Sequence, residues 1–181
     1  NLCNKVILLE NGSIGATGTP PEVVSLYLAT VDKKPTEGPL VSGPAKLQIY
    51  TESTDKTQIN VFSIGDQIRF VILVTVERPI RNAQIGLGIS DATGERVLTH
   101  HTMYQHTEEP WEIEKSVRID VEWPECILCQ GRYNFALALY ENGQRIASWE
   151  DVGELQVIEA DYFSTGRLPD PRYQGKVVTR A

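Results

Sequence analysis

Residues 132–149, RYNFALALYENGQRIASW, decide the fold class of this chain. In the first half of the stretch, apolar residues occupy every second position, which is the period of a β-strand with one buried face. Asn142-Gly143 follows directly, and this dipeptide is typical of a type I′ turn, which needs a positive φ at both central residues. The sequence therefore predicts a β-hairpin whose strands are residues 132–140 and 144–149.

Further strands are predicted on both sides of this hairpin, each a short apolar or alternating run bounded by turn residues. They are residues 67–77, 83–90, 95–103, 116–123 and 154–159, and a first strand that begins at Lys46. Roughly seven or eight short strands at this spacing indicate an all-β fold, an immunoglobulin-like or jelly-roll antiparallel β-sandwich. The sequence lacks the cysteine pair and tryptophan of antibody domains, so their topology is not expected.

Two of the predicted strands carry small residues on the face opposite the core, Gly86 and Gly88 on one and Ala136 and Ala138 on the other. We call these four residues the small-residue face. The longer polar residues that the alternation assigns to the same face are Arg69, Gln84, Asn134 and Tyr140. A small floor with polar side chains at its edges is shaped to receive a ligand. Packing of another sheet or subunit on this face is the alternative.

Composition and charge exclude several classes of protein. With a net charge of −7 and a pI near 5.0, the chain lacks the basic character that non-specific nucleic-acid binding requires. The sequence contains neither an apolar run long enough to span a bilayer nor a secretory signal. Its 3 cysteines, an odd number, favour a reducing cytosol over a disulfide framework. The chain begins at Asn1 instead of Met, which indicates a piece of a longer protein.

The N-terminal residues predict a small separate unit. Two apolar stretches flank Asn11-Gly12, which is the pattern of a second hairpin. Thr19, with Glu22 three positions later, predicts the capping box of a short helix. A hairpin and one helix bury too little surface to be stable alone. We therefore divide the chain into this unit at 1–31, a Pro/Gly-rich linker at 32–45, the sandwich at 46–160 and a C-terminal arm at 161–181.

Residues 1–31 resemble the C-terminal end of an ATP-binding-cassette nucleotide-binding domain. The resemblance rests on the order C-[DN]-[RK], then G-x-I, then G-x-P-x-E-V and a tyrosine. The matching residues are Cys3, Asn4, Lys5, Gly12, Ile14, Gly18, Pro20 or Pro21, Glu22, Val23 and Tyr27. The chain contains no phosphate-binding loop of the G-x-x-x-x-G-K-[ST] type, so we expect no ATP hydrolysis by this piece, although the parent subunit would be an ATPase.

A cassette tail, a linker and a β-sandwich in this order resemble the nucleotide-binding subunit of a Wzt-type polysaccharide ABC transporter, which carries a C-terminal carbohydrate-binding domain. The matching motifs are F-x-x-G-[DE]-x-hydrophobic, an alternating strand that ends in D-x-x-G, a threonine after the next strand, and G-x-Y-x-hydrophobic-x-hydrophobic. Their residues are Phe62, Gly65, Asp66, Ile68, 85–91, Gly94, Thr102, Gly131, Tyr133, Phe135 and Leu137.

The resemblance implies a non-catalytic function in export. In such transporters the domain is cytoplasmic, at the inner face of the inner membrane, and binds the non-reducing terminus of a lipid-linked O-antigen chain, which couples chain completion to export. The implied partners are the polysaccharide, the transmembrane permease subunit through the parent ATPase, and a second copy of the chain, with no nucleic acid. In the implied homodimer the C-terminal strand is exchanged, and Lys176 to Arg180 (KVVTR) corresponds to that strand.

We expect hydrogen bonds to select the terminal sugar or its cap, and an aromatic ring to stack on a sugar. The candidate residues are Arg69, Gln84, His100, Asn134 and Tyr140 for hydrogen bonds and Trp149 for stacking, with Tyr104 and Trp111 as further aromatic candidates. The family's ligand residues vary with the sugar, so the resemblance assigns none of them individually. If a partner fills the small-residue face instead, the domain is a dimerisation module of the transporter ATPase with no ligand of its own.

The sequence does not support catalytic or metal chemistry. Cys126 and Cys129 have the C-x-x-C spacing of half a zinc site without a second pair, so we expect buried thiols. Adjacent His100 and His101 on a strand face opposite sides, which prevents them from sharing one ion. No Ser/His/Asp order and no patterned pair of carboxylates is present. We expect no catalytic residue, no metal and no cofactor.

Overall fold

The structure, a computed structural model, describes residues 3–10, 12–20, 23–24, 26–27, 40–104 and 111–179. The strands are β1 (Val6–Glu10), β2 (Ser13–Gly18), β3 (Leu40–Ser42), β4 (Ala45–Glu52), β5 (Val61–Ser63), β6 (Ile68–Val76), β7 (Ala83–Asp91), β8 (Arg96–His101), β9 (Ser116–Trp123), β10 (Gly131–Glu141), β11 (Gln144–Trp149) and β12 (Glu154–Ile158). A 3₁₀-helix at Thr102–Tyr104 and a short helix, α1, at Pro171–Gln174 complete the named elements. No helix among the described residues has the length and apolar character needed to cross a membrane.

Two sheets form the predicted β-sandwich, which is confirmed. The 6-stranded sheet has the order β5–β12–β10–β7–β8, with β11 pairing with β10 beside β12. The 4-stranded sheet has the order β3–β4–β6–β9. All pairs are antiparallel except β12 with β5, which run parallel.

The core lies between the two sheets and is built from the residues that the alternation assigns to the buried side. On β10, Phe135 is 2% exposed and Leu139 is 0% exposed. Phe135 packs edge to face against Phe70 of β6, with ring centroids 5.3 Å apart, and Phe70 packs in the same way against Trp123 of β9 at 5.0 Å. Such aromatic contacts join both sheets at the centre of the core.

The turns follow from the residues that the sequence places there. Asn142 and Gly143 have φ angles of 50° and 78°, the two positive values that a type I′ turn needs. In the β7–β8 turn, Asp91 Oδ1 accepts hydrogen bonds from the backbone N–H groups of Thr93 at 2.9 Å and Glu95 at 3.0 Å. The motif aspartate therefore organises its own turn, as an Asx turn does.

The structure contains two short strands that the alternation does not predict. Strand β3 lies within the stretch assigned to the linker, and it pairs with β4. Its Leu40 carbonyl accepts a hydrogen bond from Trp149 Nε1 at 3.1 Å. Strand β5 pairs with β12, which is far from it in sequence. Both strands have 3 residues, too few for an alternating pattern, so contacts distant in sequence determine them.

The N-terminal hairpin is confirmed by the antiparallel pairing of β1 with β2, although Asn11 itself lies outside the described residues. Glu22 of the predicted capping box also lies outside them. Pro20, Val23, Val24, Leu26 and Tyr27 have helical backbone, and Val23 N–H donates to the Thr19 carbonyl at 3.1 Å. This agrees with a helix that begins after Thr19.

The C-terminal arm returns to the sandwich of its own chain. Val177 forms an antiparallel bridge with Leu128, and Val178 is 2% exposed. Arg180, the last residue of the predicted exchanged strand, lies outside the described residues. Exchange of this strand between two copies stays a prediction.

Candidate functional site

The small-residue face lies on the outer surface of the 6-stranded sheet, on the side away from the core. Strands β7 and β10 pair so that Gly86 is opposite Ala138 and Gly88 is opposite Ala136. Both alanines are half-buried, whereas both glycines are buried under side chains from β8. The prediction that these four residues share one face is confirmed.

Three of the predicted site residues lie on the same face. Gln84 is opposite Tyr140, and Asn134 is opposite Ser90. All three predicted residues are half-buried. In the described part of the chain, neither the Gln84 nor the Asn134 side chain has a hydrogen-bond partner, so their amides are available to a ligand.

Arg69 does not share this face, so that part of the prediction is wrong. It lies on β6, in the middle of the 4-stranded sheet, and faces outward from the opposite side of the sandwich. Its guanidinium contacts Glu122 at 2.9 Å and Glu52 at 3.5 Å. Parity along a strand specifies which side chains face outward, but it does not specify to which of two sheets the strand belongs.

His100 and Trp149 also point away from the small-residue face. His100 is opposite Leu87, on the core side of β8, and its Nε2 accepts a hydrogen bond from Trp123 Nε1 at 2.5 Å. Trp149 is opposite Leu137 and is 6% exposed in the core. Neither ring is placed for contact with a ligand on the small-residue face. Trp111, the further aromatic candidate, packs against the core as well.

His101, which the sequence analysis considered only as a metal ligand, lies directly on the small-residue face. It is opposite Gly86, where a Cβ atom would be 3.1 Å from the imidazole Cδ2. The ring packs against Tyr140, with centroids 5.2 Å apart, and against Tyr104 at 6.0 Å. Its Nδ1 accepts a hydrogen bond from Met103 N–H at 3.2 Å, which assigns the proton of the neutral ring to Nε2. Burial lowers the pKa of His101, which favours this neutral form.

Arg96 covers the other glycine. A Cβ atom on Gly88 would lie 1.1 Å from Arg96 Nη1, so the guanidinium rests where only glycine leaves room for it. Within the described residues, Arg96 has no ion-pair or hydrogen-bond partner. The face therefore combines a guanidinium, an imidazole, two amides and two tyrosine rings around a floor of glycine and alanine.

Two β-bulges bring arginines to this face. In the β7–β8 pair the register shifts between Ile89 and Ser90, which places Arg96 opposite Ser90. In the β10–β11 pair it shifts between Leu139 and Tyr140, which places Arg145 opposite Tyr140. An extra residue in one strand changes which side the following side chains face. Strict alternation would assign both arginines to the core side.

The sequence could have identified His101 as a residue of this face, because His101 and Thr99 alternate with Leu98, an apolar residue that faces the core. Arg96 could not, because strand alternation does not reveal a bulge. Tyr104 also lies near this face, and the preceding Thr102 Oγ1 accepts a hydrogen bond from Ile85 N–H at 2.9 Å. The threonine of the sequence motif thereby attaches the end of β8 and the following turn to β7.

The structure provides no support for metal or thiol chemistry. In the described part of the chain, no group of three or more His, Cys, Asp or Glu residues could hold a metal ion. Cys126 and Cys129 are 0% and 1% exposed, and burial raises the pKa of Cys126 to about 12. Thiols that are buried and protonated are unreactive.

A cavity of about 310 Å³ is lined by residues of the C-terminal arm. Phe163, Leu168, Pro169 and Tyr173 are among the residues that line it. None of the predicted site residues contributes to it. All of its lining residues come from residues 163–174 of the C-terminal arm and none from a strand of the sandwich, so we base the candidate site on the small-residue face.

Comparisons with known proteins agree with the fold. Residues 44–167 match the family model described as the Wzt C-terminal domain. A crystal structure of the C-terminal domain of Wzt superposes with a TM-score of 0.60 at 14% identity, covering 75% of this chain and 86% of that chain. A comparison with the curated proteins gives no match.

Two other solved structures are less similar. The CARDB domain of a Pyrococcus furiosus protein has a TM-score of 0.38 at 10% identity and covers 67% of this chain and 90% of that chain. The alkylpurine DNA glycosylase AlkC of Pseudomonas fluorescens has a TM-score of 0.36 at 15% identity and covers 61% and 30%. Neither similarity supports a functional argument. The family match spans most of the sandwich, and the chain therefore belongs to the Wzt C-terminal domain family, a family of carbohydrate-binding modules of O-antigen ABC transporters.

Proposed function

We propose that the small-residue face binds the non-reducing terminus of a lipid-linked O-antigen polysaccharide, and that this binding couples completion of the chain to its export. The observation that carries the proposal is the composition of this face. The Gln84 and Asn134 amides and the Arg96 guanidinium, which have no partners in the described structure, lie around Ala136 and Ala138, the half-buried part of the floor that a sugar ring can approach. Family membership supplies the class of ligand.

Each part of the face has a role in this proposal. Gln84 and Asn134 bind sugar hydroxyl groups, because an amide offers both donors and an acceptor. His101 and Arg96 donate hydrogen bonds from the floor itself, and Tyr140 and Tyr104 offer ring faces to the apolar side of a sugar. Each neutral hydrogen bond contributes only about 0.5–1.5 kcal/mol net, so a millimolar affinity agrees with such a site.

Coupling to export depends on the parent subunit. We infer that the cassette ATPase to which residues 1–31 belong links the sandwich to a transmembrane permease, with the domain on the cytoplasmic side. A homodimer would present two such faces to the transporter. The support for these partners is the family together with the order of the sequence motifs.

The test is an NMR titration of this chain with O-antigen purified from the producing cell, both intact and with its non-reducing terminus removed. We expect saturable shifts at Gly86, Gly88, Gln84 and Asn134 with the intact polymer and none with the trimmed polymer. Equal shifts with both polymers would show binding along the chain instead of at its end. No shift with either, from a folded dimer, would favour the alternative of a dimerisation module.

A further inference from the structure

The C-terminal arm contacts the turn that carries Arg96. Lys176 Nζ forms ion pairs with Asp91 and with Glu95, the latter at 2.5 Å. The backbone on either side is held as well, because the Lys176 carbonyl accepts from Cys129 N–H at 2.9 Å and Val178 N–H donates to the Ile127 carbonyl at 2.7 Å. The lysine is therefore attached to a buried part of the sandwich.

Asp91 is the organising residue of the β7–β8 turn. While one of its carboxylate oxygens pairs with Lys176, the other accepts hydrogen bonds from Thr93 and Glu95. The Asp91 N–H also donates to the Glu95 carbonyl at 2.9 Å. Lys176 thus contacts both ends of the turn, and Glu95 immediately precedes Arg96.

The position of this turn determines where the Arg96 side chain lies. The bulge next to it directs Arg96 across the outer surface onto Gly88. A rotation of the turn that reversed the bulge would place Arg96 on the core side of β8. A cation that pairs with both Asp91 and Glu95 opposes such a rotation.

We propose that Lys176 is a positioning residue for the ligand face: by pairing with Asp91 and Glu95 it holds the β7–β8 turn in the form that places the Arg96 guanidinium over Gly88. The inference rests on the proposed function for its consequence, since binding at the small-residue face would then depend on docking of the C-terminal arm. Any change that detaches the arm weakens binding at a site that the arm does not line.

The first measurement needs no ligand. Lys176→Met is compared with Lys176→Arg and with Lys46→Met, which changes the net charge equally at an exposed position of β4. We expect Lys176→Met to shift the Gly88 amide and the Arg96 Nε–H resonances, Lys176→Arg to restore them, and Lys46→Met to leave them unchanged. Glu95→Gln removes one of the two ion pairs and should shift the same resonances less, which provides a milder variant.

The second measurement is the affinity for the intact O-antigen. We expect Lys176→Met to weaken binding about fivefold, with recovery in Lys176→Arg. Unchanged Gly88 and Arg96 resonances in both Lys176→Met and Glu95→Gln would overturn the inference, as would unchanged affinity in Lys176→Met. If the unmodified chain binds no polysaccharide, the proposed function fails, and the ligand-free resonances still decide whether Lys176 positions Arg96.

Discussion

The two outer faces of this sandwich differ in how their charged residues are paired. On the 4-stranded sheet, Arg69 lies between Glu52 and Glu122, and Arg118 Nε contacts Asp120 at 2.9 Å. On the 6-stranded sheet, Arg96 lies over Gly88 with no carboxylate partner among the described residues. One face satisfies its charges within the chain, and the other leaves its donors for something outside it.

The difference shows which features separate a stabilising surface from a binding surface. Cross-strand ion pairs fill the first face with long side chains and hold neighbouring strands together. Glycine and alanine leave the second face without such ion pairs among the described residues, so the Arg96 guanidinium and the Gln84 and Asn134 amides have no partner within that part of the chain. The number of polar residues on each face does not distinguish a stabilising surface from a binding surface, whereas the presence or absence of partners for those residues does.

The largest expected effect comes from filling the floor. Ala138→Leu places three more carbon atoms where the sugar ring would lie, and we expect at least about a 100-fold loss of affinity for intact O-antigen. Because Ala138 faces outward, Tm should change little. Isothermal titration calorimetry and thermal unfolding measure the two quantities.

Thr75→Leu is the matched control, because Thr75 is an exposed residue on the outer face of β6. Its affinity should equal that of the unmodified chain. Full affinity in Ala138→Leu would place the ligand elsewhere and would remove the contrast between the two faces.

A second pair of variants removes one arginine from each face, and the two are expected to have opposite effects on affinity and Tm. Arg96→Ala should weaken binding about tenfold, since hydrogen bonds to a charged group contribute about 1.5–3 kcal/mol, and should leave Tm unchanged. Arg69→Ala should lower Tm, because Glu52, whose side chain is 10% exposed, would keep only Arg118 at 3.9 Å. Its affinity should not change. The same loss of binding in both variants would contradict the separation of the faces.

Gly88→Ala tests whether the close approach of the Arg96 guanidinium to Gly88 matters for binding, with a smaller expected effect than Arg96→Ala. The added Cβ would occupy the place of the guanidinium, which can move aside because it ends a long side chain. We expect about a threefold loss of affinity and a displaced Arg96 Nε–H resonance, with little change in Tm. Gly131→Ala serves as the control, since its Cβ would meet Tyr133 at an ordinary 3.6 Å.

The smallest expected effect is a dependence of stability on pH that comes from two adjacent histidines. Burial lowers the pKa of both His100 and His101 below the ordinary value of 6.5. As the pH falls, the histidines of the unfolded chain therefore bind protons before those of the folded chain. The free energy of unfolding that these neutral histidines contribute above pH 6.5 decreases as the pH falls towards their folded pKa values. We expect Tm to fall by a few degrees between neutral pH and mildly acidic pH.

Glutamine variants separate the two histidines. His100→Gln keeps an acceptor for Trp123 Nε1 without a titrating group, so it should reduce the pH dependence of Tm. His101→Gln should reduce the pH dependence too, and it alone should also weaken the binding of O-antigen. An unchanged slope in the double variant would exclude both residues as its source.

The alternation of β10 and β7 predicted most of the fold and the small-residue face, because each of these strands is long enough to display its period. It also predicted the position of Gln84, Asn134 and Tyr140 correctly. It failed for Arg69, since an outward side chain can belong to either sheet. His100 and Trp149 were candidates by residue type and not by alternation, and their parity with Leu98 and Ala147 already places both on the core side.

The features that could be predicted from the sequence are local. The period of two specified which residues face inward, Asn142-Gly143 and Asp91 specified turns, and the order of short motifs indicated the family. Each of these depends on residues close together along the chain, where backbone sterics and side-chain alternation act directly.

Which of these residues come into contact depends on how the strands are assembled into two sheets. Sheet membership, the two bulges, the guanidinium over Gly88 and the ion pairs of Lys176 all join residues from distant parts of the sequence. Such contacts form because two sheets pack around one core and bring their strands into a particular register. No local pattern contains that register, so the composition of the face emerges only when the strands are assembled.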